Sequence, residues 1–521
     1  MMKALTGTCR KEQTKMHNKK IAINLSLIIG IALAYFYIPC YMFVLTWTKP
    51  VIAALAVAMM TISIVGVMKG LIEHDRKAEL NVVVLLVILL LAFAVGFLSG
   101  WAGYGHQTED WPKHNAIMRD LLERGWPVVY NNGGETALLT YYIGQYIFPC
   151  GIGKILHFSF EQTLILNWLW ASVGLALVFT VFICATKATS AKKQLWCILM
   201  VLLAGGLMSL QQSVGSVLYP NDITIGLPGW QDYFLTYGRY MLQFRTNFIS
   251  IRWAYGQTLV PWMIVLLLYI LKDRVKYYVP LVLPAILFGT FTSFSIILIA
   301  IFFWAEECFF KKSQDKILKN TFSWMNCVSM ASLGAILFVY YLGYVIQTKP
   351  AGEGFSIQNF AGRDIGIYLI FVLGSFGLYA IVALKENIKN IAFWACVVIM
   401  SVLPFFKFGV ANDLLMGACI APSMLLYALL TKWLFDKDTS QFRKGILVTL
   451  LLIGFIKPSL EIYTCVSQYD YSQYNPADYF VTMENFANRF NEDVSLDLRY
   501  NYYTYDAMNS LFMKTVGGKV T

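Results

Sequence analysis

Two adjacent carboxylates, Glu109 and Asp110, stand just ahead of an amphipathic segment in a long polar stretch, about 102–161. A carboxylate at a membrane surface, in low dielectric and beside a second acid, has its pKa raised toward the range useful for taking a proton from an acceptor hydroxyl. Asp110 is also placed to cap a helix through the Lys113 N–H, with Pro112 in the first turn. The two roles are compatible. His114 follows one turn later, on the side of Ile117 and Met118. It can orient a phosphate or assist proton transfer, or pack as a hydrogen-bonded interior residue; His106 offers the same with less support.

Arg239, Arg245 and Arg252 are interleaved with aromatic residues in YPNDITIGLPGWQDYFLTYGRYMLQFRTNFISIRWAYGQTLVPW. Guanidinium groups can hold a phosphate through paired hydrogen bonds, or snorkel from an aromatic belt to ordinary lipid headgroups. Arg252 is favoured, being closest to the next apolar block. Lys407, Asn412 and Asp413 share the short turn that opens KFGVANDLLMGACIAPSMLL, where Asn412–Asp413 is also a good helix start. The ten cysteines form no CxxC pair and no Cys/His cluster, which supports neither a zinc site nor a disulfide framework. No metal or cofactor is required; a divalent ion at the carboxylates is possible.

These residues need elements to position them. Of the 521 residues 58% are hydrophobic and 14% charged, whereas a soluble domain carries about 25% charged residues. Apolar blocks of bilayer-spanning length recur from end to end, and backbone in lipid must be helical to satisfy its polar groups. The expected fold is all-α integral membrane, with about thirteen spans at 22–46, 51–71, 82–101, 162–186, 195–212, 256–271, 277–290, 292–309, 321–346, 366–384, 391–406, 414–431 and 446–461. The stretch 277–309 reads as two short spans, because merging them would reverse every later loop.

The net charge of +11 sits in alternate short connections: Arg76/Lys77, Lys187/Lys192/Lys193, Lys272/Arg274/Lys276, Lys311 to Lys319, Lys385/Lys389 and Lys432 to Lys444, besides the basic segment 1–21. That is the positive-inside pattern, so the charge marks topology and not a nucleic-acid partner. It expects a cytoplasmic amino terminus, a transmembrane domain over 22–461, and an extracytoplasmic region 462–521. The remaining outer loops are then 102–161, 213–255, 347–365 and 407–413. Uncleaved spans and basic inner loops suit a bacterial plasma membrane.

Within the first outer loop, 112–125 is patterned as a surface helix with Ile117, Met118, Leu121 and Leu122 on one face and Arg119, Asp120, Glu123 and Arg124 on the other. A second such helix is expected over about 136–148, ending at Pro149. Both are too short to span and should lie along the membrane.

The run EDWPKHNAIMRDLLERGWPVVY followed by LTYYIGQYIFP resembles the first outer loop of the GT-C superfamily of polyprenyl-phosphate-dependent membrane glycosyltransferases. In span number and outer carboxy-terminal region the chain is similar to lipid-A aminosugar transferases and protein mannosyltransferases. The resemblance implies transfer of a sugar from a polyprenyl-phosphate donor in the bilayer to a cell-envelope glycan, lipid or protein at the outer face. Asp110 would be the base, with Glu109 beside it and inversion at the anomeric carbon. Arg239, Arg245, Arg252, His114, Asn412 and Asp413 would line the substrate site. The likeness as sequence covers 109–149 and, faintly, 404–422. Two features depart from the family: the acidic loop follows the third span instead of the first, and Gly417 stands near where an arginine is expected. A lipid or polysaccharide flippase, a glycan polymerase or ligase, and an inactive scaffold are the competing classes.

Overall fold

The computed structural model describes residues 19–108, 111–132, 135–220, 234–236, 240–310, 314–347, 354–409, 412–467 and 502–520. The chain enters through strand β1 (Lys20–Asn24), then crosses in α1 (Leu25–Trp47) and α2 (Pro50–Ile72). Strand β2 (Lys77–Asn81) pairs antiparallel with β1 and leads into α3 (Val82–Leu98). A polar region follows, with α4 (Trp111–Glu123), β3 (Val129–Asn132), β4 (Glu135–Leu139) and α5 (Gly144–Ile155). Next come α6 (Phe160–Thr186), α7 (Ala191–Leu203) and α8 (Met208–Leu218), the short strands β5 (Phe234–Thr236) and β6 (Tyr240–Leu242), and α9 (Asn247–Ile270).

The later half holds α10 (Val275–Phe288), α11 (Thr290–Phe309), α12 (Lys316–Ile346), β7 (Phe355–Ile357), α13 (Asp364–Asn387) and α14 (Ile391–Phe405). It ends with β8 (Phe406–Phe408), α15 (Asp413–Phe435), α16 (Gln441–Ser467), β9 (Tyr503–Tyr505) and α17 (Leu511–Thr515).

Among the described residues nine helices are long and apolar enough to cross a membrane: α1, α2, α6, α9, α11, α12, α13, α15 and α16. The protein is an α-helical, multi-pass membrane protein. The other expected spans fall on the shorter apolar helices α3, α10 and α14 and on the pair α7–α8, which is bent by 42° where one straight span at 195–212 was expected. The bend has a packing cause. Gly206 lies so close to α13 that a Cβ there would stand 2.9 Å from Ser375 Cα, and the Leu207 N–H donates to Gly374 O at 2.6 Å. The stretch 277–309 is two segments, α10 and α11, turning at Gly289.

Connections segregate to two ends. At one end the paired strands β1 and β2, Lys193 Nζ on Phe435 O (3.2 Å), Lys272 with Glu306 (3.2 Å) and Lys432 Nζ on Tyr269 Oη (3.0 Å) tie the basic loops to one another. At the other end β3–β4–β9 and β7–β8 join the remaining loops, and Thr48 bridges Gly517. The described residues 502–520 of the carboxy-terminal segment pack against this end of the bundle: Lys49 N–H donates to Val516 O (2.8 Å) and Lys49 Nζ to Thr515 O (2.9 Å).

Two local expectations are corrected. Residues 136–139 are strand, not helix, because β4 is held between β3 and the distant β9, with Leu139 opposite Tyr503. The second helix starts at Gly144 and runs through Pro149 to Ile155, packed on α1, α4 and α6. Asp120, placed on the polar face of α4, is instead buried. It accepts from Tyr130 Oη (2.8 Å) and Arg124 Nε (3.2 Å), which satisfies the carboxylate away from water.

Candidate functional site

The site is built at the end opposite the basic loops, where α3 hands over to α4. Loop 99–108 reverses on itself at Gly105, whose φ of 94° and a Phe97 carbonyl 2.3 Å from any Cβ exclude a larger residue. Gln107 Nε2 donates to Gly100 O (2.9 Å), Asn115 Nδ2 to Gln107 Oε1 (3.0 Å), and Trp111 N–H to Thr108 O (3.0 Å). This knots the loop to the first turn of α4. Glu109 and Asp110 themselves lie outside the described residues, as does Arg239.

His114 is buried, with Nδ1 2.7 Å from Tyr146 Oη and its ring against Trp111. Trp101, Tyr255 and Trp111 stack in a row at centroid distances of 5.0 and 5.5 Å. The imidazole is therefore part of an aromatic packing that holds α4 on α5 and α9.

The arginines separate. Arg245 is half-buried, with Nη2 3.6 Å from Met416 Sδ on the first turn of α15. Arg252 lies two residues before a break in α9 at Ala254 (φ −142°, ψ 37°) and is buried. Its guanidinium donates to Glu461 Oε1 of α16 and to His106 Nδ1 of the acidic loop, and Trp253 Nε1 also reaches Glu461 Oε1 at 3.4 Å. The arginine favoured by sequence for a phosphate is thus already charge-paired, and Arg245 is the one beside α15. Burial first, and then the Arg252 charge, hold the His106 pKa below its ordinary value.

Asn412 adopts the left-handed conformation and caps α15, accepting from Leu415 N–H (3.3 Å) and Phe408 N–H (3.4 Å) and donating to Met241 O (3.0 Å). It fixes the turn between β8 and α15, and Asp413 opens the helix. Asp413 bears electrostatically on Tyr142, as does Lys113 from the first turn of α4. Tyr142 Oη accepts from Gln257 Nε2 of α9 and from the Tyr141 hydroxyl. Burial raises the Tyr142 pKa and the Lys113 charge opposes the rise. The fold therefore gathers groups from α4, α9, α15 and the β4–α5 connection around one phenol.

Beside this cluster lies an apolar cavity of about 680 Å³ between α11 and α14, lined by Phe291, Phe294, Phe302, Val398, Phe408 and Leu414 among others. Its wall toward the polar cluster is the first turn of α11. There Thr292 Oγ1 donates to Gly417 O (3.2 Å), and a Cβ on Gly417 would stand 2.8 Å from Phe291 Cβ. No larger residue fits at 417 without displacing Phe291. The described residues include no group of three or more His, Cys, Asp or Glu arranged to hold a metal ion.

Sequence reasoning missed Glu461, Tyr142 and Gln257. Glu461 had a readable signal, an acid at the end of an apolar block, which calls for a buried partner. Comparison of the chain with family models, curated proteins and solved structures finds no match.

Proposed function

We propose that the protein is a membrane glycosyltransferase of the GT-C kind, crossing the membrane about thirteen times. It would pass a sugar from a polyprenyl-phosphate-linked donor to a cell-envelope acceptor at the end opposite the basic loops. Asp110 serves as general base with Glu109 beside it, and the reaction inverts the anomeric carbon. The observation that supports this most is the pairing of a largely apolar cavity with a polar cluster across one helical turn. A prenyl chain suits the cavity, and its phosphate would then stand near α15, where Arg245 can meet the charge that develops on the leaving group. With basic loops on the cytoplasmic side, transfer occurs at the outer face of a bacterial plasma membrane.

The test gives purified protein a panel of polyprenyl-phosphate sugars with an envelope extract as acceptor source. Wild type consumes a donor, and Asp110→Asn is slower by about 10²–10⁴-fold, the range for loss of a general base. Consumption of no donor by wild type sinks the enzyme reading; equal rates for the two proteins sink the role of Asp110 alone.

A second reading, a lipid or glycan flippase, draws on the buried Arg252–Glu461 pair, since ionisable pairs at membrane depth often mark a transport path. Translocation of a labelled lipid-linked sugar across proteoliposomes, with no sugar transferred, decides for it.

A further inference from the structure

The polar cluster that the transfer chemistry leaves unused is the one formed by His106, Arg252 and Glu461. It joins three elements distant in sequence: the loop 99–108, the start of α9 and α16, with Arg252 and Glu461 lying 209 residues apart. Both members of the ion pair are 2% exposed, while His106 is half-buried and reachable by solvent protons. We propose that His106, Arg252 and Glu461 form a proton-sensitive latch that fixes the acidic loop against α16.

The chemistry of the donors sets the sense of the switch. A guanidinium only donates, so the Arg252 bond to His106 Nδ1 requires an imidazole that can accept there, which means a neutral ring. Protonation removes the acceptor and sets a second cation against Arg252 in a site with little water. Among the described residues the charged groups facing His106 are Arg252 from α9 and Glu461 from α16, with the Cys465 thiol one turn further along α16 near both. Glu461 favours the imidazolium, but burial and Arg252 outweigh it. With the folded value below the ordinary 6.5 or so, the latch is fully closed above about pH 6.5 and opens as pH falls through the lowered value.

Three further bonds carry an opening of this loop toward the site. Gln107, next to His106, holds Gly100 and Asn115, and Thr108 holds Trp111, so loop and first turn of α4 move as one. The consequence for turnover rests on the proposed role of Asp110: turnover would fall as the latch opens in acid.

Amide hydrogen exchange of the full-length protein, followed by mass spectrometry and corrected for the intrinsic effect of pH, tests the latch without using turnover. In wild type, peptides over 99–108 exchange slowly at about pH 7.5 and about tenfold faster at about pH 5, while peptides over 129–139 do not change. His106→Gln removes the pH dependence, and Arg252→Gln with Glu461→Gln gives fast exchange in the loop at both pH values. Equal loop protection in wild type at the two pH values overturns the proposal, as does a pH-dependent drop that persists in His106→Gln. If the double variant does not accumulate, the comparison of wild type with His106→Gln decides by itself. A latch that works in a protein consuming no donor leaves this inference standing and removes only the enzyme reading.

Discussion

At the basic end of the bundle, Lys20 meets Glu79 at 2.7 Å with both side chains nearly half exposed, and Arg443 meets Glu386 with each about a quarter exposed. At the other end Arg252 and Glu461 are shut in, and Asp120 is buried with Tyr130 and Arg124 as partners. The first set lies in water and is worth little. The second set binds parts of the chain that nothing local would bring together, and it carries a large penalty if one member is lost. Charges at the basic end lie on the loops' surface; those at the opposite end hold distant parts of the chain together.

The contrast breaks most sharply at Glu461. Glu461→Leu strands a buried guanidinium and should cost about 3–5 kcal/mol, whereas Arg252→Leu together with Glu461→Leu should recover most of it. Thermal unfolding in detergent, followed by tryptophan fluorescence, compares the single and double variants. Additive losses in the double would show that the two do not act as a pair. Asp120→Ala comes next, at about 1–3 kcal/mol, because the Tyr130 hydroxyl loses its acceptor in the interior. Gly417→Ala should cost about 1–2 kcal/mol through overpacking on Phe291, with Phe291 displaced toward the apolar cavity. The smallest effect belongs to the basic end, where Arg443→Ala should change stability by about 0.5 kcal/mol or less in the same assay. A loss there as large as that of Asp120→Ala would erase the distinction between the ends.

Much of the helix inventory was legible, since each apolar block carries its own length and each basic loop its own charge. The first helix of the loop 102–161 was legible as a helix, though not its burial: α4 spans Trp111–Glu123 where 112–125 was expected, with Ile117, Met118 and Leu121 buried together with Asp120. The second was not, because Leu138, Leu139, Tyr142 and Tyr146 also fit a helix, and pairing with β3 and the distant β9 makes 135–139 a strand. Among the site residues, Arg252 was singled out for its place ahead of a span expected from 256, and it lies inside the longer helix α9, which begins at Asn247. What its guanidinium holds depends on an acid 209 residues away. Asn412 read first as a helix start and second as a ligand, and the left-handed turn at 412 shows it capping α15.

Sequence by itself determined that this chain is a stack of apolar helices with short basic connections alternating with long aromatic ones. Those are properties of single segments, set by bilayer thickness and by the cost of carrying charge across it. The tertiary structure alone decided which polar groups meet: His106 with Arg252 and Glu461, and Tyr142 with Gln257. Each of those pairings is fixed by how helices pack against one another, and a hydropathy pattern says which face of a helix is apolar without saying which other helix that face will find.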